Sequence, residues 1–252
     1  MKALLEVDNL SKIFYRDGKP VLTAVDHVSF QVYPGEILGI VGESGSGKST
    51  IAKLITRLID ATEGSIKVDG QDITHLKGRQ LKEAYREIQM VFQTPTGSFD
   101  PRRTLGDGIC ESLRNNGVSK NDAEKRGCEL LAQCGLSEEF MKRYPHEVSG
   151  GQCQRAAIAR ALAIRPDILI CDEATSSLDA TVQKQVIDLL TALKESTGMA
   201  YVFICHNLAL VQQFCDRVLV MCDGKIVEEG TPDDVIMRPA EEYTKNLIDS
   251  IL

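Results

Sequence analysis

The chain has 252 residues, of which 43% are hydrophobic, and its formal net charge is −7 at pH 7. This length and apolar content suit one large α/β domain, or a core with one inserted lobe, and allow an ample buried core. The acidic balance argues against a nucleic-acid groove, which needs a basic surface, so we expect no nucleic-acid partner.

The longest apolar runs have the length of strands. They are ILGIV, ILIC, YVFIC and VLVMC, and none approaches the roughly 20 residues that span a membrane. The amino terminus, MKALLEVDNLSK, lacks the long apolar segment of a secretion signal. We therefore expect the chain itself to be soluble.

Eight cysteines occur without a CxxC pair or a Cys/His cluster, which disfavours structural zinc and a disulfide framework. Cys171, Cys205 and Cys222 lie in or at the ends of apolar runs, and Cys153 lies in a predicted helix. We expect these side chains to be small buried hydrophobic groups in a reducing compartment.

The first part of the chain is predicted to be rich in strands. The run EILGIVG, residues 36–42, is continuously apolar and typical of a strand buried on both faces of a sheet. A glycine-rich loop follows it, and STIAKLITRLI, residues 49–59, has helical spacing. The other strands predicted here are Leu4–Val7, Val25–Tyr33, Ser65–Val68 and Ile88–Phe92.

From Thr94 to about Arg165 the pattern changes to helices and polar loops. Strands return at ILICDE and YVFICH, separated by a predicted helix through Val182–Leu193. The stretch VLVMCDGKIVEEG predicts a hairpin that turns at Asp223-Gly224. Repetition of strand, loop and helix implies a mostly parallel sheet wrapped by helices, with the helical stretch as an insertion.

Residues 42–50, GESGSGKST, match the pattern GxxxxGK[ST] between a buried strand and a helix. Glycines let successive backbone N–H groups point at phosphates. Lys48 can reach the β- and γ-phosphate oxygens, and Ser49 offers a hydroxyl to Mg²⁺. The predicted phosphate-binding residues are Gly42, Glu43, Ser44, Gly45, Ser46, Gly47, Lys48, Ser49 and Thr50.

Polar side chains follow three other predicted strands. Asp172 and Glu173 end ILICDE, Gln93 follows IQMVF, and His206 follows YVFIC. Because the carboxyl ends of parallel strands meet at one edge of the sheet, we expect these side chains to surround Lys48. Phosphoryl transfer needs a metal ligand, for which Asp172 is the candidate, and a group that orients the nucleophile, for which Glu173 is the candidate.

A second candidate phosphate site begins at VSGGQ, residues 148–152, where a serine and two glycines lead into an alanine-rich helix. Free N–H groups and the positive end of the helix dipole favour an anion at such a helix start. Judged alone, this segment is more typical of an ordinary capped helix with a flexible lead-in.

These motifs, with SSLD at 176–179, occur in the order found in the ATP-binding cassette (ABC) ATPases, which the sequence resembles over almost its whole length. The resemblance implies an α/β P-loop NTPase core with a mostly parallel sheet, an N-terminal antiparallel β subdomain and an inserted helical subdomain. It predicts a single domain, 1–252, with the core and β subdomain at 1–93 and 166–235. The helical subdomain would be 94–165 and the C-terminal tail 236–252.

The resemblance also implies ATP and Mg²⁺ as cofactors and a head-to-tail pair of ATPase subunits, formed with a second copy or with a paralogue. Each ATP would lie between the glycine loop of one subunit and the signature segment of the other. The signature residues acting in trans would be Ser149, Gly150, Gly151 and Gln152.

Further roles follow from the same resemblance. Phe14 would stack on adenine, with Tyr15 adjacent and core packing as the alternative. Gln93 would contact Mg²⁺ or the attacking water, and His206 would hold the γ-phosphate and Glu173. The remaining implied roles are Mg²⁺ ligation by Ser49 and Asp172, and a place in the dimer interface for Asp179.

The stretch IQMVFQTPTGSFDPRRTLGDGI resembles the pattern MVFQDPxxSLNPxxTIG of importers for peptides, nickel and related solutes, departing from it at Thr94 and Asp100. Residues 228–248 also resemble the C-terminal segment of this subfamily. The implied partners are two transmembrane permease subunits and, indirectly, an extracytoplasmic solute-binding protein. The implied location is peripheral, on the cytoplasmic face of the membrane. A soluble ABC ATPase without a role in transport, or an importer subunit for a different solute, is the alternative.

The departures at the motifs are small. Val148 replaces the usual leucine before SGGQ, and Asn207 stands after His206 where the family commonly has aspartate. Neither change removes a catalytic group, so we expect an active ATPase.

Overall fold

Two β-sheets organise the chain in a computed structural model that describes residues 2–176 and 178–250. The strands are β1 (Leu5–Arg16), β2 (Lys19–Val32), β3 (Ile37–Val41), β4 (Glu63–Val68), β5 (Gln71–Asp72), β6 (Ile88–Val91), β7 (Ile168–Asp172), β8 (Ala200–Ile204), β9 (Arg217–Cys222) and β10 (Lys225–Gly230). The helices are α1 (Lys48–Ile55), α2 (Gly78–Ala84), α3 (Leu105–Asn115), α4 (Lys120–Gln133), α5 (Gly150–Leu162), α6 (Ala180–Thr197), α7 (Leu208–Phe214), α8 (Pro232–Met237) and α9 (Glu242–Asp249).

The larger sheet has the strand order β10-β9-β3-β8-β7-β6. The five strands from β9 to β6 run parallel to one another, and β10 pairs with β9 in the antiparallel direction. The β9–β10 turn lies at Asp223 and Gly224, where φ is 47° and 80°, as a tight two-residue hairpin requires. The predicted mostly parallel sheet is therefore confirmed.

The smaller sheet is antiparallel, with the order β2-β1-β4-β5, which confirms the predicted N-terminal antiparallel layer. β1 is much longer than the predicted Leu4–Val7, because pairing with β2 continues to Arg16 across several bulges. One register shift lies between Val7 and Leu10, next to Asn9, where φ is 50°. The interruption by polar residues after Val7 thus marks a bulge and not the end of the strand.

The larger sheet is buried on both faces, and β3 shows why its sequence is apolar throughout. Ile37 and Val41 pack into a core shared with α3, α4, α5 and α6. Leu38 and Ile40 point to the opposite face, into a core shared with the antiparallel sheet and α1. Successive side chains of a strand face opposite ways, so all four must be apolar, each contributing about 1.5–3 kcal/mol when fully buried.

Helices α3, α4 and α5 pack on one another between β6 and β7 in the sequence. Thr104, Ser119 and Ser149 cap their starts, each accepting a hydrogen bond from a backbone N–H in the first turn. The stretch with few predicted strands is thus helical, while the subdomain boundaries at 93/94 and 165/166 stay a prediction.

All eight cysteines are free thiols. Cys153, Cys171 and Cys205 are buried as predicted, whereas Cys222 is half-buried. Burial raises the pKa of Cys153 and of Cys205 to about 11, which keeps both thiols protonated. Among the described helices, none is both long and apolar enough to cross a bilayer.

Candidate functional site

The sheet brings the predicted strand-end residues to one edge. β3, β8, β7 and β6 are adjacent and parallel, so the residues that follow them emerge side by side. The glycine loop follows β3, His206 follows β8, Glu173 follows β7, and Gln93 follows β6. Topology therefore gathers residues that are more than a hundred positions apart in the chain.

The glycine loop contains backbone that other residues would not tolerate. Gly42 and Gly47 have φ of 147° and 107°. A Cβ on Gly42 would lie 2.2 Å from the Met221 carbonyl oxygen, and one on Gly47 would lie 2.3 Å from that of Ala24. Glycine is required at both positions, because both the left-handed conformation and the close backbone approach exclude a side chain.

Lys48 begins α1 with a buried side chain. Its Nζ donates hydrogen bonds to the carbonyl oxygens of Gly42 (2.8 Å) and Glu43 (2.6 Å) and to the Ser46 hydroxyl (3.3 Å). Burial lowers the pKa of Lys48, while the carboxylates of Glu173 and Asp172 oppose that shift. The loop thus holds a partly desolvated cation against its own backbone, in the form suited to phosphate oxygens.

Ser49 and Asp172 are in direct contact, with the Ser49 hydroxyl donating to Asp172 Oδ1 at 2.9 Å. Asp172 is only 5% exposed. Burial raises the pKa of Asp172, and the Ser49 hydrogen bond acts in the opposite direction. A hydroxyl and a carboxylate at this spacing are hard oxygen donors, which fits Mg²⁺. No cluster of three or more His, Cys, Asp or Glu side chains suited to a metal exists in the described part of the chain.

Gln93 and Glu173 also meet. Gln93 Nε2 donates to Glu173 Oε2 at 2.5 Å, and the backbone N–H of Glu173 donates to the Ile204 carbonyl of β8 at 3.0 Å. Glu173 has φ of 48°, which costs a non-glycine residue on the order of 1 kcal/mol and is frequent at functional sites. The exposed His206 lies after the neighbouring strand. No hydrogen bond joins it to Glu173 in the part of the chain that the structure describes.

The VSGGQ segment forms a capping box at the start of α5. The Ser149 hydroxyl accepts from the Gln152 N–H at 3.3 Å, and the Gln152 side chain accepts from the Ser149 N–H at 2.9 Å. A Cβ on Gly150 would meet nothing within 4 Å, whereas one on Gly151 would lie 2.4 Å from Val182 Cγ1 of α6. Within the described residues, no hydrogen bond links this segment to the glycine loop.

Two further predicted residues, Phe14 and Asp179, make contacts of other kinds. Phe14 is 38% exposed, and the Lys12 ammonium lies 5.2 Å from its ring centroid. Because Tyr15 is also exposed, the core-packing alternative is wrong for both rings. Asp179 caps α6 by accepting from the N–H groups of Thr181 and Val182. Ser177 of the SSLD turn lies outside the described residues.

Sequence reasoning missed two contacts that hold the glycine loop. The Tyr243 hydroxyl of α9 accepts from the Glu43 N–H at 3.1 Å. The Gly224 N–H in the β9–β10 turn donates to the Ser46 carbonyl at 3.0 Å. Neither contact leaves a local signal in the sequence, because Glu43 and Tyr243 are 200 positions apart and Ser46 and Gly224 are 178 apart (224 − 46).

A family model described as ABC transporter matches residues 25–176. The oligopeptide transport ATP-binding protein OppF of Salmonella typhimurium is 44% identical over 260 residues, covering 99% of this chain and 78% of the relative. The dipeptide transport ATP-binding protein DppF of Lactococcus lactis is 43% identical, covering 99% and 81%. The glutathione import ATP-binding protein GsiA of Pectobacterium atrosepticum is 47% identical, covering 90% of this chain but 37% of the relative.

Solved structures of ATP-binding cassettes are similar in fold to this chain. An ATP-binding cassette determined as a dimer in a post-hydrolysis state with ADP and Pi has a TM-score of 0.83 and 31% identity, covering 90% of this chain and 98% of its own. The cbiO1 protein of Clostridium perfringens, part of the ABC transporter complex cbiONQ, has a TM-score of 0.81 and 26% identity, covering 94% and 92%.

Proposed function

This chain belongs to the ABC transporter family as an ATP-binding, ATP-hydrolysing subunit, and we propose that it powers the import of peptides. The observation that carries the proposal is the similarity of nearly the whole chain to oligopeptide and dipeptide transport ATP-binding proteins. No residue of the chain would touch the solute, since ATPase subunits act on permease partners. Peptide is therefore the first substrate class to test and nickel the second.

In the proposed mechanism the glycine loop binds the triphosphate through its backbone N–H groups, and Lys48 moves its charge from loop carbonyls to phosphate oxygens. Ser49 and Asp172 are the residues that would hold Mg²⁺, which when bound supplies positive charge against the phosphates. Gln93 would also reach this ion or the attacking water.

Glu173 is the proposed group that orients the attacking water and accepts its proton. Gln93 supports that role because its amide occupies Oε2 of the carboxylate and leaves Oε1 for the water. The positive φ of Glu173 turns it away from the direction of β7. His206, exposed at the neighbouring strand end, is the proposed contact to the γ-phosphate.

We further propose that Ser149, Gly150, Gly151 and Gln152 complete the ATP site of a second subunit in a head-to-tail dimer, with Asp179 at the interface. The open space around Gly150 supports this, because a phosphate of another chain could approach the helix start there without a clash. Phe14 is the proposed adenine platform, and its exposed ring supports that role.

The proposed transport role needs permease subunits at a membrane face. A groove of about 340 Å³ between the core and α3 supports such docking. Its lining includes Tyr85, Phe92 and Leu58, whose side chain is 51% exposed although apolar. Phe92, which lines the groove, directly precedes Gln93 in the chain, so a partner seated there would contact the segment that carries Gln93. The 94–165 lobe is accordingly proposed as the docking subdomain.

The test is co-purification from native membranes followed by reconstitution of the complex in proteoliposomes. We expect permease partners to be recovered and labelled peptide to accumulate only with ATP, while a complex carrying Glu173→Gln accumulates none. Uptake of ⁶³Ni²⁺ without peptide uptake would show that nickel, and not peptide, is the transported solute. Recovery of the chain without any membrane partner would overturn the transport role.

A further inference from the structure

Tyr243 of α9 contacts the glycine loop from the far end of the chain. Its hydroxyl oxygen accepts a hydrogen bond from the Glu43 N–H at 3.1 Å. Its ring is half-buried and packs against the hydrophobic core, which includes Val218, Val220 and Val235. The hydroxyl is thus presented to the loop by a ring that the core holds in place.

Glu43 uses both of its peptide groups in this arrangement. Its N–H donates to Tyr243, and its carbonyl accepts from Lys48 Nζ at 2.6 Å. One residue therefore links the C-terminal helix to the lysine that the family uses on phosphate. We propose that Tyr243 is a positioning residue for ATP binding, acting through the backbone of Glu43.

The segment that carries Tyr243 is itself anchored. The Glu228 carboxylate of β10 accepts from the N–H groups of Ala240 (2.8 Å) and Glu241 (3.2 Å) at the start of α9. Although burial acts to raise it, the hydrogen bonds from the N–H groups of Ala240 and Glu241 help to lower the pKa of Glu228. The carboxylate is therefore charged at neutral pH, when it caps the positive end of the helix.

The C-terminal part of the chain holds the glycine loop at two separate points. Gly224 in the β9–β10 turn donates to the Ser46 carbonyl at 3.0 Å, and Tyr243 fixes Glu43 three residues earlier. β10 connects the two holding points, because it begins after the turn and carries Glu228. A loop already held in shape gives up less conformational freedom when it binds phosphates.

The expected size of the effect follows from the nature of the bond. A neutral, partly exposed hydrogen bond makes a modest net contribution, so its loss should weaken ATP binding by about threefold to tenfold. The Glu173 carboxylate and the Gln93 amide do not contact Tyr243 through any hydrogen bond in the described residues. The turnover number at saturating ATP should therefore stay unchanged.

The test uses the full chain with Tyr243→Phe, which keeps the ring and removes the hydroxyl. Tyr33→Phe is the matched control, because that hydroxyl bonds Gln31 Oε1 at 2.8 Å in the antiparallel sheet, away from the loop. We expect Tyr243→Phe to raise the Kd and the KM for ATP by threefold to tenfold, with kcat unchanged and Tm lowered by no more than about 2–4 °C. Tyr33→Phe should change none of these quantities.

Hydrogen–deuterium exchange without nucleotide supplies a second readout. A peptide covering residues 42–47 should exchange faster in Tyr243→Phe, while peptides from α3 and α4 should not change. An ATP affinity within twofold of the wild type would overturn the inference, as would an affinity loss accompanied by faster exchange throughout the chain. All of these measurements are made without a permease or a solute, so failure of the peptide-import proposal would leave this inference standing.

Discussion

The two glycine-containing helix starts of this chain look alike in sequence but differ in their surroundings. The glycine loop before α1 touches Ala24, Met221, Gly224 and Tyr243, and its lysine is buried. The signature segment before α5 pairs the N–H groups of Ser149 and Gln152 through a capping box, and it leaves open space beside Gly150. The same local chemistry is thus enclosed by its own chain in one case and presented outward in the other.

The comparison indicates that a glycine-containing helix start serves as a binding site of its own chain when other elements of that chain pack around it. The outward-facing segment is the one that could serve a second subunit, as proposed above.

Replacing Glu173 with Gln should leave both helix starts intact while stopping the chemistry. Because the amide cannot accept a proton from water, we expect kcat for ATP hydrolysis to fall by about 10²–10⁴-fold, with ATP binding retained. The ATP-loaded variant should accumulate as a dimer, measured by size-exclusion chromatography with light scattering. Rapid turnover in this variant would contradict the assigned role.

Replacing Lys48 with Ala acts on the enclosed helix start alone. Loss of charge-assisted hydrogen bonds to phosphate should weaken ATP binding by about tenfold to a hundredfold, measured by isothermal titration calorimetry. Since Lys48 lies outside α5, the unfolding profile of the helical lobe should not change. Unaltered ATP affinity would refute the role of the loop.

Ser149→Arg acts on the outward-facing helix start. Loss of the Ser149 cap of α5 should lower the free energy of unfolding by only about 1 kcal/mol, so the chain should still fold. ATP binding should be spared, since no hydrogen bond in the described residues joins the segment to the glycine loop. Dimerisation of the ATP-loaded Glu173→Gln background should be lost, which chromatography with ATP would detect. Persistence of the dimer would remove this segment from the interface.

The adjacent glycines supply a matched pair. Gly151→Ala should lower the free energy of unfolding by about 1–3 kcal/mol, because its Cβ would collide with Val182. Gly150→Ala should keep or slightly raise that free energy, since its site is open and Ala restricts the unfolded chain. Chemical denaturation measures both, and equal effects would show that the two positions are not distinct.

The smallest expected effect concerns Asp172 and pH. Burial raises the pKa of this carboxyl in the folded state above its unfolded value, so its ionised form lowers stability at neutral pH. That penalty disappears as the pH falls through the folded pKa. Without nucleotide and metal, Asp172→Asn should therefore have a higher Tm than the wild type at neutral pH, and the gap should narrow in acid. A gap that does not vary with pH would contradict this assignment.

Much of the site could be predicted from the sequence because its motifs are contiguous. GESGSGKST directly follows the apolar strand β3, and ILICDE is an apolar strand that ends in polar residues of the site. The parallel order of β3, β8, β7 and β6 then makes Gln93 and Glu173 neighbours. Prediction failed for β1, where bulges let a strand continue past polar residues that interrupt the alternation.

By itself, therefore, the sequence determined the glycine loop, the alternating strands and helices and the β9–β10 turn, since each depends on residues within a few positions of one another. Only the tertiary structure decided that Gly151 packs against α6 while Gly150 stays open, and that Tyr243 reaches Glu43. The physical reason is that these contacts join segments distant in the chain. Their distances depend on how whole elements pack, which no local pattern records.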